Sequence, residues 1–557
     1  MKKLMLSLLL AMMVLSGCNT GTSTTDDSTG GVEPPVFQSG DYTLLAWNDL
    51  GMHCIDGKDY SVFSILPPYN DLKAQLILKQ GIVDKHVTSG VTLTYESAPS
   101  LTGELNTSSV NKTNFWDYVK LLFGVTLDDD LGLVGNRTPS TTPAPLAYNN
   151  EHTWWEADGI PIMNYDDNGK VNYYPMVKVV AKDSQGNLLA STQVVLPVSD
   201  EMDCQQCHAS NSHPDTTPKA GWENNSDLLK DFKLNILKLH DDKHDVSSYL
   251  SQLQGNGYNY TASLYETAIN GTPILCAACH QSNALGTKGF SGIKSLTASL
   301  HALHANVTLP GSTLILDDSS NRDSCYACHP GATTECLRGA MGKAKNPDGS
   351  QLMQCQSCHG NMSAVGQSAR NGWMEEPDCQ SCHQEGLRYT EAVIDNAGTL
   401  RSAWDTTFAT NDNTPVSGSN LYRFSSGHGE MQCSACHGST HAIYPSSHAE
   451  DNLQSIVVQG HSGTVAECTA CHSTTPKTSN GGPHGMHSIG QYWVNEHKDS
   501  AEKDTQVCAQ CHGADYRGTF LSKTFSARSF ATEWGTKQFA SGHQIGCYDC
   551  HNGPKDD

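Results

Sequence analysis

Nine times along this chain, two cysteines separated by two residues are followed at once by a histidine. The cysteine pairs are Cys204 and Cys207, Cys276 and Cys279, Cys325 and Cys328, Cys355 and Cys358, Cys379 and Cys382, Cys433 and Cys436, Cys468 and Cys471, Cys508 and Cys511, and Cys547 and Cys550. The histidines are His208, His280, His329, His359, His383, His437, His472, His512 and His551. Cys-x-x-Cys-His is the attachment sequence of c-type haem. Two thiols add across the porphyrin vinyl groups and the adjacent imidazole binds the iron from one side. A zinc ribbon would not need the following histidine, and a thioredoxin-like pair occurs once per domain near a strand–helix junction. Nine uniform motifs therefore predict nine covalently held haems, and a chain that holds and moves electrons.

The chemistry of each iron turns on its sixth ligand. A second histidine makes a low-potential electron carrier, whereas an open position admits substrate. Of 25 histidines, nine stand in motifs, which leaves 16. His301 and His304 share a helix face, as do His240 and His244, because side chains three or four residues apart lie one above the other. His428, His461 and His543 each follow a glycine just ahead of a motif, too near to reach across their own haem but able to cap a neighbour. His484, His487 and His497 complete the candidate set. His213, His441 and His448 are weaker candidates. His53, His86 and His152 fall before the first motif and are not expected to be ligands. Met431 and Met486 could also cap an iron, but the surplus of histidine makes them unnecessary.

These sites need elements to position them. Residues 41–200 carry no motif and contain β-prone runs at Tyr42 to Trp47, Val91 to Tyr95, Val177 to Ala181 and Leu188 to Leu196. The last two flank the polar string 183–187, which reads as a hairpin connection. The expectation is an N-terminal β-sandwich or barrel-like domain over 41–200. A largely irregular, sparsely α-helical cytochrome domain follows over 201–557, with helices after Asp227 and over 295–305. Regular strands are not expected there. Only 37% of residues are hydrophobic, so porphyrins are expected to supply much of the missing apolar core. Cys325, Cys355 and Cys379 follow one another most tightly, so their haems should nearly touch.

Residues 1–17 read as a signal peptide: Lys2 and Lys3, then an apolar run too short to span a bilayer, ending at Leu15-Ser16-Gly17-Cys18. Residues 18–40 are rich in Gly, Ser, Thr, Asp and Pro and read as a flexible tether. The formal charge of −23 argues against nucleic acid and anionic lipid as partners. It suits oxide surfaces, metal cations or basic redox proteins. Of 21 cysteines, Cys54 and Cys336 remain after the motifs and Cys18. Outside the cytoplasm two spare cysteines most simply pair as a disulfide. The alternative for Cys54 is a metal site with Met52 and His53.

Leu15 to Cys18 resembles the lipobox of bacterial lipoproteins, which implies a lipid anchor on Cys18. Asn19, in place of Asp, favours the outer membrane. The β-rich first part, the run of motifs and the excess of histidine resemble the outer-membrane multihaem cytochromes of dissimilatory metal-reducing bacteria. The strings Asn48 to Cys54 (NDLGMHC), Cys336 to Met341 (CLRGAM), Gly482 to His487 (GPHGMH) and Gly513 to Thr519 (GADYRGT) carry the same resemblance. It implies extracellular electron transfer to metal oxides, soluble metals or other multihaem cytochromes, with an outer-membrane porin as a further partner. The chain departs from the decahaem members in having one motif fewer and no second β domain. The competing reading is a multihaem reductase of nitrite, hydroxylamine, tetrathionate or sulfite, which needs an open iron position.

Overall fold

The computed structural model describes residues 40–81, 83–202, 204–331, 333–346, 348–370, 422–479, 482–483 and 486–555. The expected signal peptide over 1–17, Cys18 and nearly all of the expected tether lie outside these residues, as do the fifth motif (Cys379, Cys382, His383) and His484.

Two antiparallel sheets form the first part of the chain. One holds β1 (Tyr42–Trp47), β4 (Asn70–Gln80), β5 (Val83–His86), β8 (Ala147–Asn149) and β9 (Trp154–Ile160), in the order β1-β4-β9-β8 with β5 added to β4. The other runs β11 (Leu188–Val195), β10 (Met176–Asp183), β6 (Val91–Ala98) and β7 (Ala144–Pro145). Leu44, Ala46, Leu72, Ala74 and Leu76 from the first sheet meet Leu93, Tyr95, Val177, Val179 and Ala181 from the second in one buried core. The β10–β11 hairpin turns where the polar string predicts. Asp183 accepts the amides of Gln185 and Asn187, and Gly186 supplies a positive φ of 87°.

β1 explains its own composition. A strand with one wet face should alternate, yet Thr43 to Trp47 are all buried. Leu44 and Ala46 face the sandwich core, while Leu45 and Trp47 join Ile77 and Trp154 on the opposite face, against Ala435 of the sixth motif. A strand covered on both faces reads as a continuous apolar run. The cover here is the haem-bearing part of the chain.

A second core mixes the two parts of the sequence. Tyr60, Val62 and Phe63 pack with helix α1 (Phe115–Phe123) and with Leu234, Leu237, Leu253, Leu264, Ile274 and Leu275. β3 (Phe63–Ser64) pairs in parallel with β13 (Ile274–Leu275), and β2 (His53–Cys54) with β12 (Val198–Ser199). Helix α2 is the short first motif, Gln205–His208. α3 (Leu228–Lys243) starts at Asp227, whose side chain accepts the Leu229 amide as an N-cap. α4 (Val246–Gly255) and α5 (Leu264–Ile269) follow. α6 (Leu296–His304) is capped by Ser295, which accepts the Ala298 amide.

Beyond α6 the described chain is short helical turns and loops, with one departure. β14 (Arg528–Thr532) and β15 (Gly535–Phe539) form an antiparallel hairpin, where regular strands were not expected. The connection permits it: Gly535 adopts φ 94°, and Thr532 Oγ1 accepts from the Trp534 amide. No helix among the described residues is long and apolar enough to cross a membrane.

Candidate haem sites

Each described motif folds as one helical turn. The amide of His208 donates to Cys204 O at 2.9 Å, His329 to Cys325 O at 2.8 Å, and His472 to Cys468 O at 2.8 Å. The fourth and sixth motifs are the helices Cys355–His359 and Cys433–His437. Residues i, i+3 and i+4 of a helical turn share one face. The fold therefore puts both thiols and the imidazole of a motif on one face of its turn, as attachment to a single porphyrin would need.

Opposite most motif histidines stands a second imidazole. Ring centroids are 6.3 Å apart for His208 and His304, 5.9 Å for His301 and His329, and 6.3 Å for His359 and His441. They are 6.1 Å for His428 and His472, 6.3 Å for His487 and His512, and 5.9 Å for His497 and His551. A metal–imidazole bond of about 2.0 Å and about 1.1 Å from nitrogen to ring centre put two imidazoles across one metal at about 6.2 Å. Six of the eight described motif histidines thus have a partner at the separation that two axial ligands of one iron require.

The backbone fixes which nitrogen faces inward. His301 Nδ1 donates to Thr297 O at 2.8 Å and His304 Nδ1 to Leu300 O at 2.7 Å. His280, His487 and His512 donate in the same way to Lys294 O, Ser488 O and Ile545 O at 2.8, 2.9 and 2.7 Å. A carbonyl only accepts, so Nδ1 carries the hydrogen and Nε2 keeps its lone pair for a metal. Burial, helped by the facing imidazole, lowers His208, His329 and His487 to about 4 and His359 to about 3. These rings are neutral at pH 7, the form that binds a metal.

The other candidates divide. His240, which burial holds near a pKa of 4, lies 4.6 Å from His244 and within the electrostatic reach of His280, the second motif histidine. His441, a weak candidate from sequence, stands opposite His359. His461 and His543 turn Nε2 toward carboxylates, Glu467 at 3.2 Å and Asp549 at 3.1 Å. His448 stacks on Tyr174 at 3.7 Å. His213 caps a short turn by accepting the Asp215 amide. His152 stacks between Trp154 and Phe424.

Cys54 and Cys336 stand as half-buried thiols whose pKa values are raised mainly by desolvation and next, for Cys54, by the nearby Cys336. His53 diverges from Cys54 and pairs with Asp49 at 2.7 Å. Asp49, His53 and Asp71 place ligand atoms within 4.8 Å of one another. Burial pushes the Asp49 carboxyl up, but His53 and then Arg423 pull it down to about 2. With Arg423 3.8 Å away and Lys73 beside it, the cluster already holds its cations.

Neighbouring sites share elements. α6 carries partners for two motifs, the first through His304 and the third through His301. Cys325 and Cys355, first cysteines of the third and fourth motifs, hydrogen-bond each other. Trp493 stacks on His487 at 4.1 Å and 6° and lies 5.9 Å from His497.

Residues 350–521 match a family described as outer membrane cytochrome MtrC/MtrF-like, domains II/IV. The motifs that begin at Cys355, Cys379, Cys433, Cys468 and Cys508 fall inside the matched segment. No curated protein and no solved structure matches the chain.

Proposed function

We propose, from the premise that this chain is an outer-membrane multihaem cytochrome of the MtrC/MtrF-like kind found in metal-reducing bacteria, that it conducts electrons along nine haems, each held between two histidines. When bound, the haem iron supplies one-electron oxidation and reduction. The single observation that carries the reading is the set of six imidazole pairs at 5.9–6.3 Å, each containing one motif histidine. Two imidazoles per site close the iron to substrate, which favours a conduit over a reductase.

Shared elements support a route. α6 joins the first and third sites, and the Cys325–Cys355 contact joins the third and fourth. His441, just after the sixth motif, serves the fourth site, and His428, just before it, serves the seventh. Trp493 lies between the eighth and ninth. His240 closes the second site on this reading, with His244 beside it.

Lipid on Cys18 would hold the body at the outer membrane, with the terminal acceptors outside. Those acceptors are metal oxides, soluble metals and other multihaem cytochromes, and a porin is the further partner across the membrane. The test is purified holoprotein reduced with dithionite and mixed with a soluble ferric chelate. Nine covalent haems by intact mass, all reoxidised in one mixing, support the proposal. Far fewer haems, or a fraction that stays reduced, contradict it.

A further inference from the structure

The strings NDLGMHC and CLRGAM hold no motif cysteine, yet they close around one residue, His441. The backbone of His441 is held from both. Its amide donates to Leu50 O at 3.1 Å, and its carbonyl accepts the amides of Arg338 and Gly339 at 3.0 and 2.8 Å. Ser439 Oγ donates to Asn48 O at 2.7 Å, and Thr440 Oγ1 to Asp49 O at 3.4 Å. Gly51, at φ 86°, lies so close that a Cβ there would stand 3.1 Å from the amide nitrogens of His441 and Ala442 and 3.3 Å from His441 Cβ. Asn48 Oδ1 accepts the Gly51 amide at 2.6 Å and fixes the turn. Arg338, fully buried, donates to Gly51 O and to both carboxylate oxygens of Asp451, which clamps the second string on the first.

We propose that the β1–β2 loop, Asn48 to Gly51, is a positioning element for an axial ligand: it sets His441 against His359 and so closes the iron of the fourth motif. The inference rests on reading His441 as that ligand. The β sandwich is then part of one haem site and not only a platform for the others. Nothing in the loop touches the iron; it acts through the backbone of His441.

The test uses full-length holoprotein in the ferric state, read by electron paramagnetic resonance and cyanide titration. Gly51→Ala should create one high-spin, cyanide-binding haem per chain. His441→Ala should create the same one, and the double variant no second. Gly57→Ala is the control, because Gly57 has a like φ of 89° but faces Asp200; it should stay fully low-spin. If Gly51→Ala behaves like Gly57→Ala while His441→Ala opens one haem, the positioning role is wrong and the ligand reading stands. If His441→Ala opens none, the ligand reading itself fails. Should Gly51→Ala yield no holoprotein, Ser439→Ala decides. It must shift the spectral component that His441→Ala abolishes, and an unmoved component overturns the proposal.

Discussion

His301 and His304 lie one turn apart on α6, yet their rings serve different motifs: His301 faces His329 at 5.9 Å and His304 faces His208 at 6.3 Å. One helix of nine residues therefore ties the first attachment site to the third. The chain achieves close neighbours by sharing short elements, not by a repeating scaffold. That is how irregular spacing between motifs coexists with dense packing of sites.

The ring planes differ from pair to pair. His208 and His304 cross at 79°, whereas His487 and His512 lie at 14° and His301 and His329 at 20°. Crossed imidazoles leave the lower iron orbitals nearly degenerate and give a strongly anisotropic low-spin resonance, while near-parallel ones give a rhombic resonance. The ferric holoprotein should show both kinds, and His304→Ala should remove a strongly anisotropic component while leaving the rhombic ones. Loss of a rhombic component instead would reject this assignment.

Trp493 packs flat on His487 and edges His497. Trp493→Leu should disturb two resonances together, those of the His487–His512 and His497–His551 sites, and spare the rest. A change confined to one site would show that the indole does not link them.

The Arg338–Asp451 pair is buried on both sides, with side chains 0% and 3% exposed. Removing one partner leaves an uncompensated charge in the interior, which costs about 3–5 kcal/mol. Asp451→Asn should lower the unfolding free energy of the holoprotein by that order in guanidinium. A loss under about 1 kcal/mol would mean that Tyr174, whose ring lies 5.0 Å from the guanidinium centre, is partner enough.

Cys54 and Cys336 feel one another in the fold. Exported material should carry them as a disulfide, which closes a long loop and contributes about 2–4 kcal/mol. Non-reduced peptide mapping should recover the two segments as one cross-linked species. Free thiols at both positions in protein purified from the oxidising compartment would refute the bridge.

Much of this was legible in residue types, because the governing physics was local. A Cys-x-x-Cys-His turn needs nothing beyond its own five residues. Asp227 and Ser295 cap the helices that follow them, and β1 ends at Trp47 as its apolar run does. The pairing of distal histidines was not legible, because the paired rings come from segments tens of residues apart that only the tertiary fold brings together. His441 ranks among the weaker candidates by sequence, yet Gly438, at φ 85° and with a would-be Cβ 3.0 Å from Ala442 O, turns the chain just after the sixth motif and His441 faces His359. The Gly-His signal that drew attention to His428 served equally for His461 and His543, which face carboxylates six residues on. Nothing in the local string separates those cases.

A conduit of this kind requires two imidazoles to close each iron. Near-infrared magnetic circular dichroism of the fully oxidised holoprotein, repeated with excess cyanide and with nitrite, tests it most directly. Closed sites give low-spin, bis-imidazole ferric haem throughout and spectra that neither anion changes. A persistent high-spin fraction that binds either anion would contradict it and return the reductase reading.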